Sequence, residues 1–135
     1  MNENYCELQF DSQTTKVRQI VNRLLEFIDS HAPATSARDD LRLVFSELLY
    51  NAVIHGNKGD RSKHVQVQLK AESDRIYVCV RDEGCGFDHE EATSQAVSEK
   101  SLLEENGRGM ILVRALTENL CFNKSGNQIS FEKGL

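Results

Sequence analysis

Three groups of residues in this chain have types and spacings that can do chemistry. Glu47, Asn51 and His55 recur every four residues, so on a helix they share one strip. A carboxylate there can take a proton from a hydroxyl held within hydrogen-bond distance. An amide oxygen is a neutral ligand, suited to a Mg²⁺ whose other ligands are waters and phosphates. Asp82-Glu83-Gly84-Cys85-Gly86-Phe87 directly follows a strand-like run. Its two glycines let the backbone bend and approach a ligand closely, and Asp82 offers a fixed carboxylate to an amino group such as that of a purine. Gly107-Arg108-Gly109-Met110 stands immediately before an apolar, helix-like run, where exposed N–H groups attract anions. Each group alone also has an ordinary reading: a solvated helix flank, a surface turn, a glycine pair before a helix. The third is not a P-loop, because GxxxxGK[ST] is absent.

The elements that must position these groups follow from periodicity. Tyr5 to Phe10 alternates as a short strand, ended by Asp11-Ser12. From Thr15 to about Ser30, Val17, Ile20, Val21, Leu24, Leu25, Phe27 and Ile28 form one helical stripe, closed by Ala32-Pro33. A second helix is predicted from near Thr35 or Ser36, with Leu41, Val44, Phe45, Leu48, Leu49, Ala52 and Val53 inward and Gly56 as its helix-ending glycine. Glu47, Asn51 and His55 flank that stripe, and His55 reads as a helix-end packing residue.

Val65, Val67 and Leu69, then Ile76, Val78 and Val80, alternate with polar residues on either side of Glu72-Ser73-Asp74. That pattern predicts an antiparallel hairpin. Gly84, Gly86, Gly107 and Gly109 bracket a polar, Glu- and Ser-rich loop. Met110 to about Leu116 predicts a short helix, and Asn119–Phe122 with Gln128–Phe131 a second hairpin around Lys124-Ser125-Gly126-Asn127. The order β-α-α-β-β-loop-α-β-β predicts an α+β two-layer sandwich, with three helices on one face of a largely antiparallel mixed sheet.

Composition narrows the class. The 135 residues fit one domain, 1–135, with a core that needs no disulfide or structural metal. The net charge of −5 comes from 16 basic and 21 acidic residues, the basic ones scattered. Nucleic acid is therefore not expected as a ligand, since it selects clustered Lys and Arg. The longest apolar run, Ile76 to Val80, is far short of the about 20 residues of a membrane span. No signal-like start precedes Tyr5, and a cytoplasmic location is expected. Cys6, Cys79, Cys85 and Cys121 form no CxxC pair, and Cys79 and Cys121 read as small buried hydrophobes. His64 and His89 have no partner at metal-ligand spacing.

Taken in order, Glu47-Leu48-Leu49-Tyr50-Asn51-Ala52, Asp82-x-Gly84-x-Gly86 and Gly107-x-Gly109 resemble the N, G1 and G2 boxes of the GHKL (histidine-kinase-like) ATPase superfamily. The resemblance runs from about residue 6 to residue 133. Within the superfamily the chain is most similar to bacterial anti-sigma-factor serine/threonine kinases of partner-switching systems, on Ser46 to Gly56 and on its short length. The resemblance implies ATP and Mg²⁺ as cofactors, with Asn51 on the metal and Glu47 as general base. It implies Asp82 on the adenine amino group, with Gly84 and Gly86 shaping the pocket. Gly107, Arg108 and Gly109 would meet the phosphates, and about 88–106 would form an ATP lid. The implied partners are an antagonist (anti-anti-sigma) protein, phosphorylated on serine, and a sigma factor, the kinase itself being a homodimer. Relatives commonly carry a basic residue just before the second glycine box, where Glu104-Glu105-Asn106 stand here. A phosphate-facing cation would then come from Lys100 or Arg108. That departure keeps open a second reading, a nucleotide-gated binding module with little or no kinase activity. A detached sensor-kinase domain or a gyrase-like ATPase fits less well, as neither a dimerisation helix nor a transducer domain is visible.

Overall fold

Strand parity decides which side chains enter the core. In a computed structural model, which describes residues 4–84 and 109–135, β2 (His64–Glu72) buries Val65, Val67, Leu69 and Ala71, and β3 (Arg75–Arg81) buries Ile76, Val78 and Val80. The residues between them face the other way. The two strands pair antiparallel, Val67 opposite Val80 and Leu69 opposite Val78. β1 (Tyr5–Asp11) lies beside β2, β5 (Gln128–Gly134) beside β3, and β4 (Glu118–Phe122) beyond β5. The five-stranded order is β1-β2-β3-β5-β4, and each neighbouring pair is antiparallel.

Helices α1 (Thr14–His31), α2 (Arg38–Asn51) and α3 (Gly109–Leu116) make the second layer of the α+β sandwich. α1 buries Val17, Ile20, Val21, Leu24, Leu25 and Ile28, and α2 buries Leu41, Val44, Phe45, Leu48 and Leu49. The Phe45 ring meets that of Phe131 in β5 at 6.4 Å between centroids, joining helix layer to sheet. Each such side chain contributes about 1.5–3 kcal/mol by leaving water. The fork between Arg38 and Asp29, at 2.9 and 3.2 Å, ties α1 to α2 but is half exposed, so water and salt screen it and it adds little to stability. Burial therefore fixes where α2 lies, and with it the strip that carries Glu47 and Asn51.

Three details differ from expectation. α2 starts at Arg38 rather than near Thr35, because Thr35 forms a turn of its own, its Oγ1 accepting from the Ala37 N–H at 3.2 Å. Cys79 is half-buried and Cys121 exposed, not packed inside. Cys79 lies between inward Val78 and Val80, so alternation turns it to the uncovered face of the sheet; Cys121 pairs with Ser130 on that same face. Finally, α2 widens into a π turn over Ala52–Gly56, closed by the Asn57 N–H on the Ala52 carbonyl at 2.8 Å. The chain then reverses at Lys58 and Gly59, whose φ values are 54° and 69°. Gly56 does not adopt a left-handed conformation; its requirement is space, as the site makes plain.

Candidate functional site

The start of α3 meets Glu47 on α2, and the end of β3 meets Gly56 in the π turn that follows α2. Glu47 is half-buried on α2, and its carboxylate lies across the first residue of α3: a Cβ built on Gly109 would stand 2.0 Å from Oε2 and 2.6 Å from Cδ. No side chain larger than hydrogen fits there with Glu47 in place. A carboxylate at a helix start is favoured by the unpaired N–H groups and by the helix dipole.

One turn on, Asn51 is half-buried, and its Nδ2 is fully out of solvent with no hydrogen-bond partner among the described residues. An unpaired buried amide costs about 1–3 kcal/mol. Turning the amide by half a rotation would put Oδ1 in the same place, so the position offers a ligand oxygen for which no described residue competes. Functional sites are where such costs persist. A π turn immediately after Asn51 is a further mark of that kind.

Asp82 lies against Gly56, in the π turn that follows α2. Its Oδ1 accepts from the Gly84 N–H at 2.8 Å. A Cβ on Gly56 would stand 2.3 Å from Asp82 Oδ2, and one on Gly84 only 2.0 Å from the Gly56 carbonyl oxygen. Gly56, Asp82 and Gly84 thus pack so closely that a carbon added at either glycine would collide with protein atoms already there. Burial pushes the Asp82 carboxyl above the ordinary carboxylate range, opposed by the Gly84 N–H and by Lys63.

A residue that composition did not single out lies behind Gly56 and Asp82. Asn57 is fully buried and bonded through both ends of its amide, to Ser12, to the His64 carbonyl and to the Glu83 N–H. His55, expected to pack at the helix end, is exposed instead, because the wider π turn carries it away from the core. The Glu83 carboxylate accepts from the His64 N–H and lies 3.5 Å from His64 Nδ1. Among the described residues no group of three or more His, Cys, Asp and Glu can hold a metal, so a cation here would depend on Asn51 and on phosphates. Gly86, Lys100, Gly107, Arg108 and the expected lid at about 88–106 lie outside the described residues. A groove of about 310 Å³ lined by Tyr5, Lys70, Tyr77, Cys79, Asn119 and Glu132 lies on the uncovered face of the sheet, opposite the helices and away from this site.

The described residues therefore offer a carboxylate at the start of α3, a buried amide one helical turn on, and a half-buried aspartate packed against Gly56 and Gly84. Among the described residues no helix is long and apolar enough to cross a membrane. Known proteins agree with the geometry. The family described as "Histidine kinase-like ATPase domain" matches residues 10–133. The chain is 27% identical over 126 residues to the anti-sigma F factor of Geobacillus stearothermophilus, covering 93% of this chain and 86% of that protein. It is 27% identical over 125 residues to the anti-sigma F factor of Bacillus subtilis strain 168, covering 92% and 84%. It is 32% identical over 95 residues to that of Clostridium perfringens strain SM101, covering 70% and 68%. With a match over residues 10–133 that takes in β2 to β5 and the three described helices, the chain belongs to the histidine kinase-like ATPase family.

Proposed function

We propose that this protein is an ATP-dependent anti-sigma-factor kinase, transferring a phosphoryl group to a serine of an antagonist protein and holding a sigma factor when that antagonist is modified. The observation that carries the reading is the Glu47–Asn51 pair: a candidate base lies against the start of α3, one helical turn from a buried amide with no partner among the described residues. The relatives' name supplies the regulatory half of the proposal.

The residues then divide the work. Asp82 accepts from the purine amino group, while Gly84 and Gly86 let the base lie against backbone. Asn51 holds Mg²⁺ together with the phosphates. Bound there, the cation neutralises phosphate charge and favours the transferring phosphoryl group as an acceptor of electrons. Gly107, Arg108 and Gly109 offer donors to the phosphates, with Lys100 or Arg108 as the phosphate-facing cation. Glu47 accepts the proton of the attacking serine hydroxyl as the oxygen–phosphorus bond forms and the bond to the leaving diphosphate breaks. Positioning is the larger part of such a reaction, which is why the rigid seating of α2 matters. We further propose a cytoplasmic homodimer with no nucleic acid among its ligands, the charge being −5.

The test is incubation with Mg-ATP and a candidate antagonist, wild type beside Glu47→Ala. The proposal expects phosphoserine on the antagonist with wild type and about 10²–10⁴-fold less with the variant. Equal transfer by both removes Glu47 from the mechanism. ATP-dependent capture of a partner with no transfer by either protein would instead identify a nucleotide-gated binding module.

A further inference from the structure

Asn57 stands where four stretches of chain meet. It follows the π turn that ends α2, and its side chain is 0% exposed. Nδ2 donates to Ser12 Oγ at 2.8 Å, just beyond β1, and to the His64 carbonyl at 3.0 Å, at the first residue of β2. Oδ1 accepts from the Glu83 N–H at 2.7 Å. Ser12 Oγ in turn donates to the Lys63 carbonyl at 2.8 Å. Both amide hydrogens are used, and the oxygen holds one peptide of the segment that carries Asp82.

The two arms differ in what they do. The Ser12 and His64 arm ties β1 to β2, which the ladder between those strands already secures. The Glu83 arm reaches past the sheet to the peptide between Asp82 and Glu83. That completes a run of three fixed N–H groups: Asp82 on the Asn127 carbonyl at 2.9 Å, Glu83 on Asn57, and Gly84 on the Asp82 carboxylate at 2.8 Å. With all three held, the carboxylate has little freedom to move relative to Gly56 and the end of α2. A buried, fully bonded amide is well suited to such a task, since a partly satisfied one would carry the desolvation cost without the rigidity.

We infer that Asn57 is a positioning residue for purine recognition: through the Glu83 N–H it fixes the Asp82 carboxylate against Gly56 without touching the nucleotide. This rests on the proposed reading of Asp82 as the acceptor for the adenine amino group. The test is titration calorimetry of the full chain with Mg-ATP and with Mg-ITP, whose purine carries an oxygen where ATP has the amino group, on wild type, Asn57→Ala and Ser12→Ala. Thermal melts of each accompany the titrations. Wild type should prefer ATP by about tenfold or more, Asn57→Ala should lose most of that preference, and Ser12→Ala should melt lower yet keep it. A folded Asn57→Ala that still prefers ATP to the wild-type extent overturns the inference alone. A wild type that binds both nucleotides equally overturns the reading of Asp82 and the inference with it. Should Asn57→Ala not fold, hydrogen exchange at the wild-type Glu83 amide decides: protection of about a hundredfold or more supports the anchor, and exchange at the rate of a free peptide overturns it.

Discussion

Glu47 and Gly109 occupy mutually exclusive space: the Glu47 carboxylate lies where any side chain at Gly109 would begin, 2.0 Å from the position of a Cβ. The contact joins the middle of α2 to the start of α3, two elements 62 positions apart between those residues in sequence. It makes a glycine necessary for a carboxylate's placement rather than for backbone bending.

Gly109→Ala should therefore separate stability from catalysis. The colliding atoms are the far end of a flexible side chain, so Glu47 can swing aside, and Ala is the better helix former by about 1 kcal/mol. Melting should change by only a few degrees. A base displaced by about 1 Å can cost 10²-fold in rate, so phosphoryl transfer should fall by about that factor. Melts and single-turnover transfer on the same preparation check both halves.

Gly84→Ala should behave differently. Its added carbon would meet the Gly56 carbonyl oxygen at 2.0 Å, and that backbone cannot swing away as a side chain could. A loss of about 1–3 kcal/mol is expected, together with most nucleotide affinity, because the packing of Gly84 against Gly56 and Asp82 is what must open. Denaturant unfolding beside nucleotide titration measures the two effects.

The Asp82 carboxyl gives a pH dependence of definite sign. Burial raises its pKa in the folded protein, so the folded state holds this proton more tightly than the unfolded chain does. Its contribution to stability is full below the unfolded value of about 3.9 and is lost as pH rises through the folded value. At neutral pH the ionised group is a cost to the free protein. Asp82→Asn should then melt no lower than wild type at pH 7, with any advantage shrinking towards pH 4, while binding Mg-ATP poorly. A variant melting well below wild type at pH 7 would contradict the sign.

How much of this could be read from residue order depends on the range of the interaction. The hairpin of β2 and β3 was legible because its parity is local: Val67, Leu69 and Ala71 answer Val80, Val78 and Ile76 across two turn residues. The same parity, followed strictly, would have turned Cys79 outward, where an apolar neighbourhood argued for burial. The flank carrying Glu47 and Asn51 was visible from a spacing of four. Asn57 was not, because an asparagine in His-Gly-Asn-Lys-Gly reads as a turn residue, and its side-chain partners lie 45, 7 and 26 positions away. Gly56 was read correctly as marking the end of the helix, though for the wrong reason. The carboxylate it makes room for belongs to another element, and no local pattern announces that. The π turn that carries His55 into solvent is equally silent in the residue order.

The most direct measurement is a melt of the wild-type protein with and without Mg-ATP. A ligand at about 100 times its dissociation constant stabilises the fold by about 2.7 kcal/mol, which for a chain of this size is an upward shift of about 5–15 °C. That shift, with the heat of binding seen on titration, is the expected result. An unchanged melting curve at millimolar nucleotide, with no heat on titration, would contradict the assignment of a nucleotide site to α2, α3 and the end of β3.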